Sequence, residues 1–163
     1  VKRVFDTPLA EAAIVGSAVG MAAAGLRPIV EMQFSGFAYP ALNQIISHVS
    51  RMRNRSRGKY GSQMVIRMPY GGGINALEHH SESLEAVYGH IPGLKVVIPS
   101  TPADAKGLLI SSIESDEGLS LSSVKCSRSI GTLILFGFIH SFCLRRTVPV
   151  CLLFTLSFSV CIS

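Results

Sequence analysis

The chain of 163 residues is long enough for one domain with a sizeable core, and its composition excludes several classes of protein. Apolar residues make up 48% of it and charged residues only 15%, which excludes an intrinsically disordered chain and a charged coiled coil. The net charge of +5 is unevenly spread, since all ten acidic and eleven of the fifteen basic residues lie in 1–117. This nearly balanced body does not describe a polyanion-binding domain, so nucleic acid is not an expected partner.

Residues 118–163 differ in kind from this body. They hold no acidic residue, all four cysteines and five of the eight phenylalanines. The cysteines lack metal-ligand spacing, and a body without cysteine indicates a reduced, intracellular protein. A membrane span needs about 18–20 uninterrupted apolar residues. The two apolar stretches of the tail are separated by Arg145 and Arg146, so a membrane anchor is the less favoured alternative.

The first element predicted is a helix over 8–24, begun by Asp6-Thr7-Pro8 and ended by Gly25 in a left-handed cap. Its one charge is Glu11. A helix that is apolar all round is buried on several sides, in a large core or against a partner subunit.

Strands and helices then alternate. The pattern predicts strands at 27–34, 64–68 and 94–98, and helices at 40–53, 83–90 and 101–115. Short apolar strands of this kind are typical of a parallel sheet buried on both faces. We therefore predict an α/β fold with a doubly wound parallel sheet, in which ligands bind at the carboxyl ends of the strands.

Three features of the body are candidates for chemistry. An unpaired buried carboxylate is costly, so Glu11 is expected to be protonated, paired across an interface or hydrogen-bonded to a ligand; its other reading is a helix-dipole partner. A glycine loop at 71–73 precedes His80, an imidazole placed to exchange protons near pH 7, or else a capping or solvated side chain. The basic run 51–59 predicts either a phosphate or partner site or a solvated helix end.

Together these motifs resemble the beta subunit of thiamine-dependent 2-oxoacid dehydrogenases. The resemblance covers residues 1–117 in continuous register and is carried by segments 3–11, 25–34, 66–73, 79–83 and 92–109. It implies a transketolase-like pyrimidine-binding domain over 1–117, incomplete at its N-terminus and lacking the family's C-terminal domain. Residues 118–163 match nothing in the family, and we interpret them as translation of non-coding or shifted-frame sequence.

The resemblance also implies a cofactor, thiamine diphosphate, and a set of site residues. Glu11 matches the glutamate that hydrogen-bonds N1′ of the aminopyrimidine. His80 matches the histidine that lies near the substrate and the lipoyl arm. Both are candidates for catalytic residues. Phe37 matches the aromatic residue against the aminopyrimidine, and Gln33 lies in the same pocket. Glu82 stands where relatives have glutamine. A potassium ion is implied near Met64, Val65 and Ser112.

Several partners follow from the same resemblance. The diphosphate and its Mg²⁺ are held in the family by a Gly-Asp-Gly motif on an alpha subunit, which this sequence lacks. An alpha2beta2 heterotetramer, a lipoyl-bearing acyltransferase core and a 2-oxo acid substrate are therefore implied. The compartment would be the cytoplasm of a bacterium or archaeon, or the mitochondrial matrix.

Phe37 favours pyruvate as the substrate, while branched-chain 2-oxo acids and acetoin stay open. We expect this chain alone to be inactive. The alternative of another class is a non-catalytic fragment that only binds the alpha subunit.

Overall fold

A computed structural model describes residues 3–71 and 75–115 with their side chains, and the backbone of 120–121, 131–137 and 159–162. The strands of this part are β1 Val4–Asp6, β2 Pro28–Glu31, β3 Val65–Tyr70, β4 Leu94–Val97, β5 Ser120–Leu121, β6 Gly131–Gly137 and β7 Ser159–Ile162. The α-helices are α1 Glu11–Ala23, α2 Leu42–Gln44, α3 Met52–Arg55, α4 Glu85–Gly89 and α5 Pro102–Glu114.

The sheet has the strand order β1-β7-β2-β3-β6-β4-β5. β2 and β3 pair in parallel, with Val30 opposite Ile66, and β4 and β5 are also parallel. β7 lies antiparallel between β1 and β2, and β6 lies antiparallel between β3 and β4. The predicted α/β architecture is present. The sequence pattern did not predict the antiparallel strands β6 and β7, which come from residues 118–163 and pair with the edges of β2, β3 and β4.

Helix α1 begins three residues later than predicted. Its N-cap is Ala10, whose side chain cannot cap, and Glu11 is the first helical residue. The prediction of a start at Pro8 was therefore wrong: Asp6 ends β1, so its side chain is not at the capping position. The end agrees with the prediction, because Gly25 has φ +89° and the N–H of Leu26 donates to Met21 O at 3.0 Å, a Schellman cap.

One face of α1 supplies much of the core. Its buried residues pack with the sheet into one cluster, which includes Ile14, Val15, Ala18, Val19, Val30, Met32, Ile66 and Met68. The opposite face is exposed and consists of small side chains, Ala13, Ser17, Gly20 and Ala24. An apolar helix of this kind was predicted to be buried on several sides. Within the described residues, however, this face of α1 is uncovered.

The predicted helix over 40–53 is real but irregular. It begins as a 3₁₀ helix over Ser35–Ala41, continues through α2, widens to a π-helical turn over Ile45–Val49, and ends in α3. Pro40 has no N–H to donate, which is compatible with the tighter opening segment. The predicted start of α5 is confirmed, since Thr101 Oγ1 accepts from the Asp104 N–H at 3.1 Å.

The helices of the described part include none long and apolar enough to cross a membrane. The glycine loop prediction falls partly outside the described residues, which include Gly71 but not 72–74.

Gly93 tests the packing between the connection before β4 and the end of the π-helical turn. It has φ +91°, and a Cβ there would overlap the carbonyl oxygen of Ser50. We expect Gly93→Ala to lower the free energy of unfolding by about 2 kcal/mol, from backbone strain and overlap together. The measurement is urea denaturation of the full chain.

Gly107→Ala is the matched control, because Gly107 lies within α5 with open space around it. It should raise the free energy of unfolding by about 0.5–1 kcal/mol. Equal effects of the two substitutions would contradict the close approach at Gly93.

Candidate functional site

The site is built where two 3₁₀ helices pack against each other, Ser35–Ala41 after β2 and Glu78–His80 after β3. Gly36 sets their separation, since a Cβ there would overlap the carbonyl oxygen of His79. The buried Ser35 hydroxyl donates to the Glu82 carbonyl at 2.8 Å, and the Gly71 N–H donates to the same oxygen at 2.9 Å. The second helix is thereby tied both to the first and to the end of β3.

His80 lies against two aromatic rings. Its ring centroid is 5.1 Å from that of Phe34 and 5.1 Å from that of Phe37, both edge-to-face. His80 Nδ1 lies 3.2 Å from Leu77 O, and because a carbonyl only accepts, Nδ1 is the nitrogen that carries the hydrogen. With the hydrogen on Nδ1, Nε2 is the nitrogen that faces another partner. Phe37 and His80, predicted independently for cofactor and substrate, are brought into contact.

Glu82 is the hydrogen-bonding centre beside these rings. Its carboxylate accepts a short hydrogen bond from the Tyr39 hydroxyl and lies 3.3 Å from His79 Nδ1. The hydrogen bond to Glu82 raises the pKa of Tyr39. A carboxylate can serve both partners as an acceptor, one oxygen each, whereas the glutamine expected from the resemblance would offer one acceptor oxygen and one amide donor.

Glu11 occupies the first turn of α1, which packs against the 3₁₀ helix that carries Phe37. The side chain is half-buried, and within residues 3–71 and 75–115 its carboxylate makes no hydrogen bond or ion pair. The positive end of the helix dipole stabilises a negative charge there. Gln33 is exposed in the connection between β2 and the same 3₁₀ helix. The site roles of Glu11 and Gln33 stay predictions.

The residues predicted to lie near potassium do converge. Met64, Val65 and Ser112 line one small cavity, with room for about one water-sized occupant, between β3 and the end of α5. Arg27 also lines it, and its guanidinium donates to Ile113 O at 2.9 Å and Ser115 O at 3.1 Å. A cationic side chain thus already lies at the carbonyl end of α5.

Sequence reasoning missed an ion pair inside the sheet. Arg67 Nε lies 2.6 Å from Glu31 Oε2, across the register of β2 and β3, with side chains only 16% and 24% exposed. Burial raises the pKa of Glu31 more than the neighbouring Arg67 lowers it. The signal was present as one acidic and one basic residue in two otherwise apolar strands that were predicted to be neighbours.

Two buried polar atoms beside the site have no partner in the described part of the chain. Glu85 Oε2 and Tyr88 Oη make no hydrogen bond, and the Tyr88 side chain is fully buried. Burial raises the pKa of the Tyr88 hydroxyl, and burial with the nearby Glu85 raises that of Tyr70. Buried polar atoms without partners are costly, so α4 carries donors and acceptors that a bound water or ligand would satisfy. No cluster of metal-ligating side chains occurs among residues 3–71 and 75–115.

These features, an α/β sheet with a half-buried glutamate and an aromatic and histidine cluster after its parallel strands, define a cofactor-binding domain of the transketolase type. The family model "Transketolase, pyrimidine binding domain" matches residues 1–123, and the chain belongs to that family.

The chain is also similar to curated proteins with more specific names. It is 66% identical over 111 residues to "Pyruvate dehydrogenase E1 component subunit beta" of Acholeplasma laidlawii, covering 68% of this chain and 34% of that protein. The Mycoplasma pneumoniae protein of the same name is 60% identical over 116 residues, which cover 71% and 36% of the two chains. The Bacillus subtilis "2-oxoisovalerate dehydrogenase subunit beta" is 51% identical over 116 residues, again 71% and 36%. The chain spans about a third of the length of these relatives.

The pair in the sheet gives a pH-dependent prediction. A raised pKa means that Glu31 favours its protonated form in the folded state, so its contribution to stability is present below the ordinary pKa of 4.5 and is lost as pH rises through the folded-state pKa. Arg67 stabilises the ionised form of Glu31, and Arg67→Gln removes that stabilisation. We expect the free energy of unfolding to fall by about 3 kcal/mol at pH 7.5 and by much less at pH 5, measured by urea denaturation.

Lys106→Gln serves as the control, since Lys106 is exposed on α5. Its effect should be small and the same at both pH values. A loss for Arg67→Gln that did not vary with pH would contradict the role of Glu31.

The Glu82 contacts give a second prediction. Glu82→Gln replaces the charged acceptor, so the pKa of Tyr39 should fall toward its ordinary value of 10.0. The change is measured by NMR titration of the chain labelled at the tyrosine Cζ carbons. Glu78→Gln, an exposed neighbour, should leave the Tyr39 titration where it is; an unchanged Tyr39 in Glu82→Gln would refute the assigned contact.

Proposed function

We propose that this chain forms the aminopyrimidine-binding part of a thiamine diphosphate site, as the beta subunit of a 2-oxoacid dehydrogenase. The observation that carries the proposal is the half-buried Glu11 carboxylate, which has no partner within residues 3–71 and 75–115 and lies on the helix packed against the Phe37 segment. A carboxylate in that position is accessible to a hydrogen-bond donor from outside the chain, and the pyrimidine bound by this family would offer one.

The residues present fit the cofactor by their chemistry. Glu11 would accept a hydrogen bond from a protonated ring nitrogen, and Phe37 would offer its ring face or edge to the aminopyrimidine. When bound, thiamine diphosphate supplies the electron sink for decarboxylating a 2-oxo acid, while the protein supplies orientation and electrostatics. Gln33 would add an amide at the rim of the same pocket.

His80 would act on the substrate side. The Leu77 carbonyl favours a hydrogen on Nδ1, and the edge-to-face contacts with Phe34 and Phe37 favour one orientation of the exposed ring. Nε2 is then the atom that can accept or return a proton at the reacting oxygen or at an incoming lipoyl group.

An alpha subunit completes the proposal. The exposed face of α1, made of Ala13, Ser17, Gly20 and Ala24, allows close approach of a partner backbone. The cofactor's diphosphate and Mg²⁺ would be held by that partner in an alpha2beta2 assembly, because this sequence has no Gly-Asp-Gly motif. The acyl group would pass to the lipoyl arm of an acyltransferase core.

Potassium fits this chain poorly. The Arg27 guanidinium donates to two carbonyls of the cavity formed around Met64, Val65 and Ser112, and a second cation there would be repelled. No step of the proposed function depends on the ion.

Pyruvate is the proposed substrate. The two relatives with the pyruvate name and the higher identities, 66% and 60%, support this choice, whereas the Bacillus subtilis proteins named for pyruvate and for 2-oxoisovalerate are equally similar, at 50% and 51%. The aromatic residue Phe37 at the site favours the same choice over branched-chain 2-oxo acids and acetoin.

The test is coexpression of the full chain with a pyruvate dehydrogenase alpha subunit. We expect release of carbon dioxide from pyruvate that requires thiamine diphosphate and exceeds release from 3-methyl-2-oxobutanoate. Glu11→Gln should lower the rate by about 100-fold or more, because the amide is not a charged acceptor for the ring nitrogen.

Glu114→Gln is the control, since Glu114 is exposed at the end of α5 and should leave the rate unchanged. Association with the alpha subunit without decarboxylation would overturn the enzymatic proposal in favour of a non-catalytic binder. A normal rate in Glu11→Gln would overturn the role of the glutamate.

A further inference from the structure

The basic run 51–59 is divided by the structure into two groups. Three of its arginines line one open cleft of about 750 Å³ between the end of the long helical segment and the connection before β4. We call this the arginine cleft, and its lining residues are Ser50, Arg51, Arg53, Asn54, Arg57, Gly58, Pro92 and Gly93. No carboxylate is among them.

The arginines converge because the helix is interrupted. In a regular helix, residues two apart project in directions about 200° apart, so alternate arginines would be scattered. Here the π-helical turn ends at Val49, α3 is a single turn, and the chain then reverses through left-handed residues, Arg57 at φ +53° and Gly58 at φ +81°. Arg51 before the turn and Arg57 after it thus reach the same cleft.

The far wall is held in place by backbone packing. Gly93, at φ +91°, leaves no room for a side chain against the carbonyl of Ser50, and the Ser50 hydroxyl is bonded to Ile46 O at 2.7 Å. The cleft is therefore a feature of the packed fold.

The other two cations of the run lie elsewhere. Arg55 donates to Ser47 O at 2.7 Å and lies 3.3 Å from His48 Nδ1, and Lys59 lies 5.4 Å from the centroid of the Tyr60 ring. They have the same charge and nearly the same sequence position as the cleft arginines but do not line the cleft. They provide a control of equal charge.

We propose that the arginine cleft binds a small molecule that carries more than one phosphate group. Guanidinium groups match phosphate oxygens as paired donors, and the volume falls in the range of small-molecule sites. Among the described residues that line the cleft there is no aromatic side chain on which a base would stack, which argues against single-stranded nucleic acid. This site is separate from the proposed catalytic function and does not depend on it.

The test uses the full chain and inorganic diphosphate as the probe, with affinity measured by calorimetry at low salt and at 0.15 M salt. The double variant Arg51→Gln/Arg57→Asn removes two cleft charges, and asparagine suits the left-handed backbone at 57. We expect a loss of affinity of about tenfold or more. Arg55→Gln/Lys59→Gln, which changes the net charge equally, should alter the affinity less than about twofold.

A further variant keeps the test decisive if the first one is less stable. Arg51→Lys/Arg57→Lys retains the charge and should bind diphosphate with an intermediate affinity, because lysine lacks the paired donors. Urea denaturation checks that each variant is folded. Equal losses in the cleft and control variants would show attraction by net charge alone and overturn the proposal. Binding of a polyglutamate peptide without binding of diphosphate would overturn it in favour of an acidic protein partner.

Discussion

The approach of two short helices, fixed by Gly36, is the constraint on which the rest of the site depends. Because glycine is the only residue that fits against the His79 carbonyl, the segment after β2 can lie directly on the segment after β3. The Glu82 carbonyl, accepting from Ser35 and Gly71, fastens that contact at its other end. The edge-to-face packing of His80 on Phe34 and Phe37 follows from this backbone arrangement.

Two carboxylates of this fold, Glu31 and Glu11, differ in how their negative charge is stabilised. Glu31 is largely enclosed and has a guanidinium on the next strand. Glu11 has no such partner among the described residues and lies instead at a helix N-terminus. The carboxylate inside the sheet is therefore compensated by a side chain of this chain, while the one at the helix N-terminus lies at the edge of the core, where a partner from outside the chain can reach it.

Sequence reasoning reached the elements and the family but not the contacts between side chains. The apolar strands and the caps at Gly25 and Thr101 follow from local chemistry, and both were found where predicted. The start of α1 was not, because a capping side chain is only useful if the strand before it ends early enough. The antiparallel pairing of β7 with β2, and of β6 with β3, joins segments that are distant in the chain, and local patterns do not encode such contacts.

The same limit applied to the basic run, and its cause is the changing pitch of one helical segment. Spacing arguments assume a constant 3.6 residues per turn, yet this segment passes from 3₁₀ through α to π geometry before α3. Phe37, in its 3₁₀ part, lies against His80, and Arg51, which follows the π-helical turn, lines the arginine cleft. The aromatic cluster and the arginine cleft thus lie at the two ends of one continuous irregular segment, so a change in the segment's register would be felt at both.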